Sequence, residues 1–213
     1  MKIRITRIAP VLLAASLLVL PGTAAASTGS ASTVHLDGTR TTLATNPATT
    51  GVLVSHGILP LPVGPSTVAP RFGDHGLSLR YGFPITGGRV NATTLAGYIN
   101  HSGGLRFVNL ANGHTLTLTK FRIRISAHPG LTAAVNGDPS VRVRILNLDL
   151  SHAMVDKNPP TVKVSNVKAT LSDEGAAALN GVFGTSFEEG LPIGIATVAT
   201  KLKRDKRRGR HRG

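Results

Sequence analysis

The chain has no cysteine and no tryptophan among its 213 residues. Without cysteine it cannot be a disulfide-stapled mini-protein, a thiolate zinc ribbon, an iron–sulfur protein or a cysteine hydrolase. Aromatic residues make up only 4%, with two Tyr and six Phe. Recognised catalytic signatures are also missing: there is no G-x-S-x-G elbow, H-E-x-x-H pair, Walker loop, G-x-G-x-x-G or calcium loop. The eight His are scattered, with no two at i, i+2 or i, i+4, so no local metal site is preorganised. Glu188-Glu189 are neighbours beside Gly190 and read as a solvated turn, since adjacent strand residues point to opposite faces. No residue is nominated as nucleophile or base, and the chain reads as a non-enzyme.

What is present in excess is positive charge, +14 in all. Lys2, Arg4 and Arg7 supply +3 and the last 13 residues supply +7, leaving +4 for residues 8–200. At the N-terminus the three cations precede an apolar run from Ile8 to Leu20. Pro21-Gly22 follows, and Ala24-Ala25-Ala26 offers a small-residue cleavage site ahead of Ser27. This order is that of a secretory signal peptide over residues 1–26. An uncleaved anchor is the rival, but a bilayer needs about 20 apolar residues. No later run is long enough to span a membrane, so the mature chain is expected to be secreted, extracellular or associated with the cell wall.

At the other end Lys201, Lys203, Arg204, Lys206, Arg207, Arg208, Arg210 and Arg212 crowd a segment without apolar periodicity. Residues 201–213 read as a disordered basic tail. Its candidate partners are anionic cell-wall or membrane-surface polymers. Nucleic acid is out of reach after export, and no aromatic residue interleaves the charges for base stacking. A solubilising role and a tethering role both fit this segment.

Residues 27–39 are read as a linker and 40–200 as one β-rich domain. Period-2 alternation dominates there. Leu77, Leu79, Tyr81, Phe83 and Ile85 share one face of a strand, and Asn112-Gly113 marks a hairpin turn between two further strands. Three strands change phase midway. Leu116 and Leu118 give way to Phe121, Ile123 and Ile125; Val141, Val143 and Ile145 to Leu146, Leu148 and Leu150; Val162 and Val164 to Val167, Ala169 and Leu171. Either a bulge absorbs one residue in each, or each is two short strands with an irregular joint. The expectation is an antiparallel β-sandwich-like domain with bent strands.

Two short helices interrupt it. Asn46 with Pro47 starts one that ends near Gly57. Ser172 caps another, with Asp173 and Glu174 in its first turn, an apolar stripe of Ala176, Leu179 and Phe183, and Gly184 as its stop. Thr42-Leu43, Ala48 and residues 62–68 echo Thr170-Leu171, Ala176 and residues 192–198, which suggests a strand–helix–strand unit used twice. Chance matching of small residues is the alternative.

Tyr81 lies on the inward stripe of its strand, and His101 follows Leu95, Gly97 and Ile99 on another alternating face. If those strands are neighbours, a phenol and an imidazole meet inside the sheet. A tyrosinate can bind ferric haem, and a neighbouring His or Arg80 would favour the deprotonated oxygen. A core Tyr and a loop-capping His is the other reading.

The runs Tyr81-Gly-Phe-Pro84-Ile85-Thr-Gly87-Gly88 and Gly97-Tyr-Ile-Asn-His101-Ser-Gly103-Gly-Leu105, with Leu118-Thr-Lys-Phe121-Arg122-Ile123, resemble the Htaa domain over about residues 77–200. That domain occurs in secreted and surface-held haem-uptake proteins of Gram-positive bacteria. The resemblance implies a β-sandwich with short helices and haem as cofactor. It places iron ligation on Tyr81 with His101 in support. The expected function is therefore that of an exported binding domain for haem or another flat hydrophobic ligand near Tyr81, His101 and Arg80. The alternative is a structural or adhesive envelope protein tethered by its basic tail.

Overall fold

The computed structural model describes residues 33–203. The signal segment and the cations from Arg204 onward fall outside the described residues. Twelve strands and two helices follow in chain order. They are β1 (Thr33–Thr45), α1 (Pro47–Ser55), β2 (Ile58–Val63), β3 (Thr67–Gly73), β4 (Gly76–Asn91), β5 (Gly97–His101) and β6 (Gly104–Asn109). Then come β7 (Thr115–Ile125), β8 (Gly130–Val135), β9 (Asp138–Asp149), β10 (Met154–Asn158), β11 (Thr161–Leu171), α2 (Asp173–Phe183) and β12 (Pro192–Leu202). Every strand pairing is antiparallel.

The sheet is not split into the two facing layers of a sandwich. The ladder runs β7-β5-β4-β1-β12-β11-β9-β8, and β8 pairs back onto β7, so eight strands close on themselves as a barrel. Bulges make this closure workable, because each extra residue bends its strand and raises the local twist. They also account for the phase changes. The β7–β8 register shifts between Thr119 and Arg122, and Lys120 takes φ 50°. The β8–β9 register shifts beside Ile145, and the β11–β12 register shifts between Val164 and Val167, with Asn166 at φ 59°. On β7, Leu116, Leu118, Phe121 and Ile123 are consequently all buried.

The ends of the domain lie further out than the composition suggests. β1 begins at Thr33 and buries Leu36, so residues 33–39 are strand and not linker. Lys201 and Leu202 belong to β12, opposite Asp37 and Leu36, so the basic segment starts inside the sheet. Ladder partners on both sides override the polar composition. The helices are where their caps place them: the Asn46 side chain accepts from Ala48 N–H, and that of Ser172 from Gly175 N–H. Gly184 at φ 65° ends α2 in the left-handed conformation. The internal echo holds for β1–α1 and β11–α2 and fails beyond. Residues 192–198 lie in β12, inside the ring, whereas residues 62–68 cross the turn from β2 to β3, outside it.

β3 extends from one half of β4, and β6 with β2 from one half of β7. Among the described residues no ladder joins β3 to β2, so the wall has a seam there. Pro60 and Pro62 remove two backbone donors from β2, as suits an edge strand. Inside the barrel two apolar clusters divide the core. One gathers Tyr81, Phe83, Leu116, Leu118, Phe121 and Leu171 with Ala176, Leu179 and Phe183 of α2. The other gathers Leu36, Ile85, Val90, Ile99, Ile123 and Val198 towards the opposite end. Among the described residues no helix is long and apolar enough to cross a membrane.

Candidate functional site

Alternation along β4 carries Leu79, Tyr81, Phe83 and Ile85 into the barrel, and β5 sends Ile99 and His101 to the same side. Ile85 sits opposite His101, just before a bulge at Gly87. Tyr81 is 1% exposed and His101 5%. The two therefore share one interior, but their polar atoms are engaged elsewhere. Tyr81 Oη donates to the Pro60 carbonyl at 2.7 Å and so pins β4 to β2 across the seam. His101 Nδ1 lies 3.4 Å from the Phe121 carbonyl and Nε2 lies 2.7 Å from Thr41 Oγ1. A carbonyl only accepts, so Nδ1 carries the hydrogen, and Nε2 accepts from the Thr41 hydroxyl. Between the two residues stands Phe83, stacked on Tyr81 with centroids 6.2 Å apart and edge-on to Phe121 at 5.1 Å.

Burial holds both groups neutral. It pushes the Tyr81 phenol well above its ordinary range, since a phenolate would be stranded in an apolar core. It pushes His101 down to about 4, and the bond to the Phe121 carbonyl offsets only part of this. Arg80 cannot assist either of them. It is exposed on the outer face, opposite Ala44 and Ala69, because it is out of phase with Tyr81.

Along the barrel runs a cavity of about 370 Å³. At one end it is lined by Thr45, Leu53 of α1, Ala178 and Leu179 of α2, and Phe187. His101 and Thr41 lie on its wall, and Val34, Leu95, Ile125 and Leu202, all half-buried, edge the other end. Its only ionisable lining groups are His101 and Lys157. Among the described residues no three His, Asp or Glu come together as a metal site. The partners Thr41 and Pro60 were missed from sequence. Thr41 shares a phase with Leu43 on β1, but its pairing with an imidazole 60 residues away leaves no trace in a local pattern.

Such a chamber, roofed by two helices and walled by aliphatic strands, suits an apolar guest. Several solved structures are similar to this chain. The C-terminal domain of HtaA from Corynebacterium glutamicum matches with a TM-score of 0.56 and 14% identity, covering 80% of this chain and 99% of that one. A domain-swapped dimer of a histidine-to-alanine variant of that domain matches at 0.50 with 17% identity, covering 73% and 92%. The heme binding protein HtaB of the same organism aligns at 0.49 with 10% identity, covering 81% and 96%. No curated protein matches the chain. The Htaa family model matches residues 69–190, from within β3 to just before β12, and a match over more than half of the chain makes this protein a member of the Htaa family.

Proposed function

We propose that the domain is an exported, non-enzymatic binding module that takes a flat hydrophobic ligand into the chamber beneath α1 and α2, with haem the ligand that Htaa membership suggests. The observation that carries this reading is the chamber itself. Its volume of about 370 Å³ lies within the range of small-molecule sites, roughly 300–1,000 Å³. Its walls offer dispersion contacts and almost no competing polar groups.

The aliphatic walls suit the faces of a macrocycle, but Tyr81 does not line the chamber and the iron ligands are not assembled in the conformation described. Haem, when bound, would supply an iron that a phenolate or imidazole could hold. The Tyr81 hydroxyl is spent on Pro60, and the lone pair of His101 Nε2 on Thr41. To hold iron, Tyr81 would have to give up both its proton and its bond to the Pro60 carbonyl. His101, uncharged at neutral pH, keeps the wall free of buried charge.

Hemin titration of the chain lacking residues 1–26 tests this. A shifted Soret band that Tyr81→Phe abolishes is expected. Iron-free protoporphyrin, followed by fluorescence, separates the chamber from the ligand: it should still bind to the Tyr81→Phe variant. An unchanged Soret band together with no porphyrin fluorescence change would overturn the proposal.

A further inference from the structure

Charge on the barrel is unevenly placed. On β7 the outward positions past the bulge are Lys120, Arg122 and Arg124, all exposed. Across the ladder Arg124 sits opposite Tyr98 of β5, and Tyr98 opposite Arg89 of β4. On the other side Arg122 pairs with Thr132 of β8, and Thr132 with Arg144 of β9. Arg142, two residues earlier on β9, donates to the Lys120 and Thr132 carbonyls. The Arg142 guanidinium is near enough to Arg122 for the two charges to oppose each other. The facing segments of these strands, residues 86–91, 97–101, 118–125, 130–135 and 142–147, contain no Asp or Glu.

These guanidinium groups are also without carboxylate partners. Among the described residues, Arg89 Nε donates to Tyr98 Oη at 3.2 Å and Arg122 Nε to Asn100 Oδ1 at 2.8 Å. Arg142 and Arg144 turn to main-chain carbonyls, and Arg142 also to the Thr132 hydroxyl. The guanidinium carbons of Arg89 and Arg122 lie 5.7 and 5.4 Å from the centroid of the Tyr98 ring. Both side chains are exposed, and among the described residues their terminal Nη groups have no hydrogen-bond partner. Like charges held this close on a folded surface weaken the fold unless something anionic covers them.

We propose that this outer face, with Arg89, Lys120, Arg122 and Arg124 as its contacts, is a docking surface for a phosphodiester polymer. Guanidinium forks match phosphate oxygens two at a time. The cations lie on β4 and β7, two strand spacings or about 10 Å apart across β5, so a chain of phosphates can meet several of them where a single anion would meet one. Nucleic acid is disfavoured because Tyr98, the aromatic ring among these cations, already has two guanidinium groups against it and is a poor platform for bases. A bilayer surface is disfavoured because no apolar side chain stands out among the charges. The face is separate from the ligand chamber, being on the other side of the same strands.

The test uses the chain lacking residues 1–26, basic C-terminal segment included, with poly(glycerol phosphate) as the probe. Arg89→Gln, Arg122→Gln and Arg124→Gln together keep the side-chain stems and remove three charges. Arg71→Gln, Lys163→Gln and Lys168→Gln remove three elsewhere, all exposed and none of them lining the chamber. The first variant should bind at least tenfold more weakly at low salt, and the slope of log K against log salt should fall by about 2. The second should bind within about twofold of the parent. Equal losses in the two variants, or no loss in the first at an unchanged melting temperature, would overturn the proposal. So would binding confined to anionic lipid vesicles or to polyglutamate.

Discussion

Titration of His101 offers a test of the packed interior that needs no ligand. In the folded chain the ring is buried, neutral and hydrogen-bonded at both nitrogens. Its pKa falls from 6.5 to about 4. In the unfolded chain the same ring titrates near 6.5, so between the two values unfolding takes up a proton. Stability then rises with pH, because the unfolded state binds more protons. The contribution is complete above about pH 6.5 and is lost as pH falls through 4. At about 1.4 kcal/mol per pH unit between the two values, its size is about 3 kcal/mol. For a domain of this length that corresponds to roughly 6–12 °C in melting temperature.

The assay is urea unfolding at pH 7.5, 5.5 and 4.0 for the parent and for His101→Gln. Glutamine keeps a donor and an acceptor near the ring's positions and does not titrate. The variant is expected to be the less stable of the two at pH 7.5, from imperfect packing, and to show a shallower decline towards pH 4. Subtracting the two curves cancels the carboxylates, including Asp138 and Asp149, whose pKa values are lowered by hydrogen bonds from Ser140 and Ser151. Parallel curves would refute the reasoning, because they would mean that the imidazole reaches water in the native state.

Tyr81→Phe leaves the Pro60 carbonyl without its phenol donor at the seam, at a cost of about 1–3 kcal/mol; hydrogen exchange should show the loss first in β2. Asn166→Val puts a β-branched residue at φ 59° in the β11 bulge and breaks the bond from Asn166 Nδ2 to the His152 carbonyl, which should lower stability by about 2 kcal/mol in the same urea assay. Gly97→Ala would set a Cβ 2.0 Å from the Arg89 carbonyl oxygen at a φ of 152°, so a loss of about 1–3 kcal/mol is expected. Ser172→Ala removes the cap of α2 and the bond from Ser172 Oγ to the Arg144 carbonyl; about 1–2 kcal/mol should go, with α2 amides exchanging faster.

Much of the fold could be read along the chain because the deciding forces are local. The caps at Asn46 and Ser172, the stop at Gly184 and the turn at Asn112-Gly113 each depend on residues within one turn of themselves. The phase changes marked where each strand had to bulge or break, and the ladder register decides for bulges. The site was half legible. Alternation placed Tyr81 and His101 in one interior, and the same alternation counts against Arg80, which is next to Tyr81 in sequence and therefore points outward. Neither hydrogen-bond partner could be found, because Thr41 and Pro60 are brought to the site only by barrel closure. Closure itself was not legible: whether a sheet folds into two layers or joins edge to edge depends on the summed twist of all its strands.

By itself, then, the sequence determines the elements, their inward faces, the absence of cysteine chemistry and the family. Short-range hydrogen bonding and side-chain periodicity are sufficient for these. Tertiary structure alone decides that the sheet closes, that a chamber remains inside it, and that Tyr81 and His101 stay neutral and apart, with Phe83 between them. It also decides that a mildly basic body gathers arginines from β4, β7 and β9 onto one face. Each of these depends on residues tens of positions apart, and only the ladder register sets how near they come.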